Sequence, residues 1–112
     1  MKKTIKIRII NDFKKQILNM DRSIQARVLK SYMAFRIKKG VTFIRIYPKK
    51  TTFRLPFEKI SARDKKFFNI RDNSRRYPRH ELQTKTTTLK EKHLSPRFMK
   101  VMKRAFEFSK KG

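Results

Sequence analysis

The chain has 112 residues, with 33 Lys and Arg against eight Asp and Glu, and its formal net charge is +25. That length fits one domain, and a disordered basic tail would be poorer in Phe than a chain with ten of them. We therefore expect a single folded domain over residues 1–112. The absence of Cys excludes disulfides, thiolate catalysis and Cys-based zinc sites. No apolar run approaches the about 18 residues of a membrane span, so we expect a cytoplasmic protein.

The positive charge indicates the class of partner. It disfavours the compact state unless an anion neutralises it, whereas solubility alone needs a net charge of only about 2 to 8. Nucleic acid is the expected polyanion, and an anionic membrane is the second candidate. Residues 1–40 hold 12 basic groups, residues 41–80 hold 12 and residues 81–112 hold nine. This even spread favours contacts with phosphates on several sides, as in a ribonucleoprotein.

The first half of the chain predicts a helix followed by three strands. Apolar residues at helical spacing indicate a helix over much of 5–20, although its first isoleucines alternate as in a strand. Alternating apolar residues then predict strands over 28–37, 41–47 and 51–57, and Pro56 ends the last of these or places it at an edge. Short turns between them predict an antiparallel meander.

The second half predicts fewer regular elements. Residues 58–80 form a polar, irregular basic middle, and the threonine-rich residues 82–89 predict one further strand. Ser95 and Pro96 are a favourable N-cap and first residue for a C-terminal helix. The fold class is therefore α+β, with an N-terminal helix, a three-strand antiparallel meander, an irregular basic middle, one further strand and a C-terminal helix.

Five short phrases follow one another over residues 12–108: Ile17-Leu18-Asn19-Met20-Asp21, Lys30-Ser31-Tyr32-Met33-Ala34-Phe35-Arg36, Phe43-Ile44-Arg45-Ile46-Tyr47-Pro48-Lys49-Lys50, Arg71-Asp72 and Ala105-Phe106-Glu107. In this order they resemble a small uncharacterised domain family, often labelled a "predicted transport protein" domain, which also occurs attached to restriction-endonuclease-like nucleases. The resemblance implies the same α+β order of elements and no established activity. The family's glycine-rich loop is replaced here by Tyr77-Pro78-Arg79-His80-Glu81.

Basic residues around one tyrosine are the first candidate contact site. Arg71, Arg75, Arg76 and Arg79 surround Tyr77 in the sequence. Arginine offers a planar fork for phosphate, and a tyrosine ring can stack on an unpaired base. The alternative is that Tyr77 packs into the core and the arginines are only solvated.

Further candidates for nucleic-acid contact lie on several predicted elements. They are Lys49, Lys50, Arg54, Lys65, Lys66, Lys100, Lys103 and Arg104. The last three form the outer face of the C-terminal helix, which lacks Asn or Gln for reading base edges.

Catalysis is the minority hypothesis. A ribonuclease could use His80 as a base, with Arg75, Arg76 or Arg79 holding the scissile phosphate. A two-carboxylate metal site would need acids that converge, and Asp64 and Asp72 lie in this middle segment. Both acids stand next to Arg in the sequence, however, which is typical of local ion pairs, and His93 is expected at the surface. We predict no catalytic residue, no metal site and no cofactor.

The predicted function is non-catalytic binding of nucleic acid through its phosphate backbone, with low sequence specificity. RNA or a ribonucleoprotein is favoured over DNA, because no helix-turn-helix spacing is present. Two alternatives stay open: an accessory DNA-binding or protein-interaction subunit of a nuclease or defence complex, and a small ribonuclease or toxin.

Overall fold

The computed structural model describes residues 2–38, 41–72 and 84–111, and for residues 2–6 and 57 it describes the backbone only. Its elements in chain order are α1 (Lys2–Met20), β1 (Gln25–Val28), β2 (Met33–Lys38), β3 (Val41–Ile46), β4 (Thr51–Arg54), α2 (Ala62–Phe67), β5 (Arg71–Asp72), β6 (Thr84–Thr87) and α3 (Pro96–Lys111). Two 3₁₀ turns, Phe57–Lys59 and Glu91–Leu94, precede α2 and α3.

The strands form one antiparallel sheet in the order β1-β2-β3-β4-β6-β5. Strands β1 to β4 are a meander, and β6 then pairs between β4 and the edge strand β5. Both long helices cover one side of this sheet. The ring of Phe98 in α3 lies 6.1 Å from that of Phe13 in α1 and 6.3 Å from that of Phe53 in β4. The predicted α+β class is confirmed, with one core between the helices and the sheet.

The C-terminal helix begins as its sequence predicts. Pro96 is its first residue, and the Oγ of Ser95 accepts the N–H of Phe98 at 3.4 Å. The apolar stripe of this helix is buried, and its members are Phe98, Val101, Met102, Ala105 and Phe106.

At the other end of the chain, α1 ends at Met20, and the carboxylate of Asp21 then accepts the N–H of Ser23 at 2.8 Å. The helix predicted over residues 5–20 is thus confirmed.

The single strand predicted over residues 28–37 is wrong. This segment holds the last residue of β1, a tight turn and most of β2. The N–H of Leu29 donates to the carbonyl oxygen of Tyr32 at 2.8 Å and closes that turn. The turn contains no Gly or Pro, and Leu29 has the same odd parity as the apolar residues of β2. The apolar pattern of β2 therefore continues back into the turn, although in β1 it is the even-numbered Ala26 and Val28 that lie opposite Phe35 and Met33.

The basic middle is more regular than predicted. The Oγ of Ser61 accepts the N–H of Asp64 at 3.2 Å and caps α2, and β5 follows at Arg71.

The strands predicted on either side of this segment are shorter than expected. Strand β4 ends at Arg54, before Pro56, so the proline interrupts no ladder bond. The predicted strand over 82–89 is present as β6, Thr84–Thr87.

Candidate nucleic-acid interface

Five arginines lie on the side of the sheet that faces away from α1 and α3. Directly opposed residues of an antiparallel ladder project from the same side, and neighbours along a strand alternate. Because Phe53 points to the helices, Thr52 and Arg54 point away from them. The register continues from Thr52 in one row across all six strands, in the order Arg27, Ala34, Arg45, Thr52, Thr86, Arg71.

A second row lies two residues further along the strands. Arg36 follows Ala34 by two positions and is opposite Gln25, while Arg54 is opposite Thr84. We call this side of the sheet the arginine face and define it by its five cations: Arg27, Arg36, Arg45, Arg54 and Arg71. At about 4.8 Å between strands, the six strands span about 24 Å.

The cations of the arginine face differ in exposure. Arg27, Arg45 and Arg71 are exposed, whereas Arg36 and Arg54 are half-buried. The Nε of Arg36 is buried and has no hydrogen-bond partner in the part of the chain that the structure describes. A buried donor without an acceptor is costly.

The acidic side chains that form ion pairs in the described ranges pair with other cations. In residues 2–38, 41–72 and 84–111, ion pairs join Arg8 to Asp12 and Glu91, Arg97 to Asp64, and Lys85 to Asp72. None of them includes Arg27, Arg36, Arg45 or Arg71.

Asp72 is the acid nearest to the arginine face, because it directly follows Arg71. Its carboxylate lies on the helix side of the sheet, 3.0 Å from the Nζ of the fully buried Lys85. Among the strand residues that the structure describes, Asp72 is the only acid. Over its described extent, the arginine face is therefore of one sign.

Two tyrosines adjoin the arginine face where β2 begins and β3 ends. Tyr32 precedes Met33 and Tyr47 follows Ile46, and these neighbours are opposed and pack towards the core. Alternation therefore places both tyrosines on the side of Arg45. Their rings stack at 5.1 Å between centroids, with 27° between planes, and the Nζ of Lys50 lies 5.8 Å from the Tyr47 centroid. We call Tyr32 and Tyr47 the tyrosine pair.

The structure brings together only part of the predicted contact set. Arg54 and Arg71 belong to the arginine face, and Lys50 contacts the tyrosine pair from the turn that also holds Lys49. The four other residues of the first candidate site lie outside the described residues: Arg75, Arg76, Tyr77 and Arg79.

The remaining predicted contacts lie on other elements. Lys65 and Lys66 are in α2, whose Asp64 accepts from the Nε of Arg97 at the start of α3. Exposed side chains of α3 supply the others, which are Lys100, Lys103 and Arg104. These residues are not part of the arginine face.

The sequence did not single out Arg27, Arg36 and Arg45, which the fold places on the arginine face, or the tyrosine pair. A signal was present, because Arg27, Arg36, Arg45 and Arg54 recur at every ninth residue. In a meander of short strands, a nine-residue repeat places each arginine on the same side of the sheet only if the strands pair in one particular register. The sequence alone does not determine that register.

The prediction of a surface position for His93 is wrong, because the side chain is 1% exposed. Its Nδ1 accepts the N–H of Lys90 at 3.0 Å, so the ring proton is on Nε2, which lies 3.1 Å from the carbonyl oxygen of Phe68. Nε2 also lies 3.0 Å from the Oγ1 of Thr87. Burial lowers the pKa of His93 to about 4. This imidazole is neutral and structural.

The acids singled out from the sequence have structural partners as well. Asp64 pairs with Arg97 and Asp72 with Lys85, so both ion pairs are long-range and neither uses the adjacent arginine. Within the described ranges, no three His, Asp or Glu side chains are grouped so as to hold a metal ion. His80 lies outside those ranges.

No family model matches this chain, and neither a curated protein nor a solved structure matches it. The resemblance to the "predicted transport protein" domain therefore stays a prediction. None of the helices in the described residues is long and apolar enough to cross a membrane.

Proposed function

We propose that this protein is a non-catalytic nucleic-acid-binding protein of the cytoplasm, and that it holds the phosphate backbone against the arginine face. RNA, free or in a ribonucleoprotein, is the favoured ligand. The observation that supports the proposal most directly is the register. It aligns arginines from five strands on one side of the sheet, where the described strands have no acid.

The chemistry of this face suits phosphate. Each guanidinium presents a planar set of donors that matches two phosphate oxygens, and the charge persists at any physiological pH. Thr84 and Thr86, which are half-buried, lie among the arginines, and threonine hydroxyls also donate to phosphate. Arginine and threonine predominate, so we expect most contacts to be with the backbone and sequence preference to be weak.

The helix side of the molecule is less suited to a polyanion. Its exposed surface mixes signs: Glu107 is exposed in the same helix as Lys100, Lys103 and Arg104. Glu91 pairs with Arg8 on the same side of the molecule. The net positive charge is therefore interrupted there.

Two triple variants with the same change in charge test the location. The first replaces the exposed sheet residues Arg27, Arg45 and Arg71 with Gln. The second replaces Lys100, Lys103 and Arg104 of α3 with Gln. Affinity for one fluorescently labelled RNA is measured at several salt concentrations by anisotropy.

The sheet variant is expected to bind more weakly and to lower the slope of log K against log salt by about 2, because each lost phosphate contact on a single strand removes about 0.7. The α3 variant changes the long-range attraction equally but is expected to keep most of the slope. Equal losses in both variants, or a larger loss in the α3 variant, would overturn the proposed location. Wild-type binding that does not respond to salt would overturn the proposed function.

A further inference from the structure

We infer that the ligand is a single-stranded nucleic acid, one of whose unpaired bases stacks on the tyrosine pair while its phosphates lie along the arginine face. This inference rests on the proposed function and adds to it the class of nucleic acid. The observation behind it is the juxtaposition of stacked Tyr32 and Tyr47 rings with the row that contains Arg45.

The two rings are held in place by the backbone at the ends of two hairpins. The carbonyl oxygen of Tyr32 accepts the N–H of Leu29, and the N–H of Tyr47 donates to the carbonyl oxygen of Lys50, both at 2.8 Å. Both tyrosines are half-buried, so their rings have lost part of their freedom before any ligand arrives. An aromatic surface fixed in advance binds a base at a smaller entropic cost.

Tyr32 is the ring of the pair on which a base could stack. Tyr47 already has Tyr32 as its stacking partner and the Lys50 ammonium at 5.8 Å. Tyr32 contacts no second ring and no cation in the part of the chain that the structure describes. A base that extends the stack from Tyr32 would therefore displace no ring contact among the described residues.

The distances suit a nucleotide. Tyr47 lies two residues beyond Arg45 in β3, and two residues of a strand span about 7 Å. A base stacked on the pair thus places its own or the next phosphate within reach of the Arg45 guanidinium.

Other aromatic side chains of the sheet do not compete for this role. Phe35, Phe43 and Phe53 are buried on the helix side. Phe67 is exposed but lies in α2, where the guanidinium of Arg97 lies 4.8 Å from its ring.

A duplex cannot use the tyrosine pair, because its base faces are already occupied by neighbouring base pairs. Stacking on aromatic side chains is instead the usual way in which proteins bind unpaired bases, and it tolerates any sequence. The same contact explains how a protein with weak sequence preference can still discriminate between strands and duplexes.

The test compares four probes of equal length on the wild-type protein: oligo(U), oligo(dT), an abasic sugar-phosphate strand and a duplex. Anisotropy gives the affinities. Because the sequence has three Tyr and no Trp, quenching of tyrosine emission reports stacking directly. We expect oligo(U) and oligo(dT) to bind about ten-fold or more tightly than the abasic strand, and only these two to quench the emission.

Three variants localise the effect. Tyr32→Leu is expected to lower affinity for oligo(U) about ten-fold and to leave the abasic strand unaffected, whereas Tyr32→Phe keeps the ring and the affinity. Tyr77→Leu tests the tyrosine singled out from the sequence alone. Loss of oligo(U) affinity in Tyr77→Leu but not in Tyr32→Leu would overturn the assignment to the tyrosine pair. The wild-type probe series needs no variant, so a folding defect in Tyr32→Leu leaves the inference testable.

The two proposals fail in different ways. Equal binding of strand, abasic strand and duplex, with all three weakened in the triple variant of Arg27, Arg45 and Arg71, would overturn the single-strand inference and leave the arginine face as the binding surface. Binding that is insensitive to this triple variant would overturn the arginine face itself. A preference for oligo(U) over oligo(dT) would identify RNA as the source of the strand.

Discussion

The buried His93 makes the stability of the fold depend on pH in a range where few other groups titrate. Its Nδ1 accepts from the backbone and its Nε2 donates to the backbone, so protonation would convert an acceptor into a donor facing the N–H of Lys90. The ring also packs between Phe68 and Phe98, at 5.3 and 4.7 Å between centroids. A charged imidazole is therefore disfavoured in the folded state.

The magnitude follows from the two pKa values of His93. The pKa is about 4 in the folded protein and about 6.5 in the unfolded chain. Because the folded pKa is the lower one, the unfolded chain binds the proton first as the pH falls. The free energy of unfolding is therefore highest above about pH 6.5 and declines as the pH falls towards 4. Integrating the linkage relation from pH 7 to pH 5 gives a loss of about 2 kcal/mol in the free energy of unfolding.

Urea unfolding at pH 7 and pH 5 measures this loss. A His80→Gln background leaves His93 as the only imidazole of the chain. In that background we expect the loss of about 2 kcal/mol, and adding His93→Gln should reduce the difference between the two pH values to below about 0.5 kcal/mol. The same loss with and without His93 would refute the assignment of the pH dependence to this residue.

Two further predictions concern the core and the ion pair that the buried Lys85 forms with Asp72. Phe98→Ala removes a fully buried ring that contacts both Phe13 and Phe53, and is expected to cost about 3 to 5 kcal/mol in urea unfolding; a cost below about 1 kcal/mol would contradict this packing. Asp72→Asn takes the carboxylate from the buried Lys85 and is expected to cost about 1 to 3 kcal/mol. Adding Lys85→Met should recover most of that loss, and no recovery would contradict the pairing.

The terminal helices were predictable because their signals are local. In α3, the Ser95 cap, Pro96 and an apolar stripe at helical spacing all lie within one segment, and each agrees with the others. The hairpin around residues 29–32 was not predictable, because its turn has neither Gly nor Pro and because Leu29 continues the odd-numbered apolar pattern of β2 into the turn. Period and composition therefore determined the helices, while the reversal between β1 and β2 depends on how strands pair.

The sequence predicts the class of ligand that we propose, but it does not single out the residues of the arginine face. The charge indicates nucleic acid as the ligand, and the densest run of arginines in the sequence predicts a contact site at residues 71–79. The arginine face is instead dispersed in the sequence, since Arg27 and Arg71 are 44 positions apart yet lie in one row. The burial of His93 escaped prediction for a similar reason, because its partner Phe68, whose carbonyl oxygen lies 3.1 Å from Nε2, is 25 positions away in the sequence.

The sheet edges show a second consequence of placing arginines on the outer strands. An open edge is a template for the edge of another copy, and short, charged edge strands disfavour that pairing. Here β1 has four residues and exposes Arg27, and β5 has two and exposes Arg71. The cations at both ends of the row thus also disfavour edge-to-edge pairing of two copies, so the same two side chains that we propose as phosphate contacts also limit self-association of the protein.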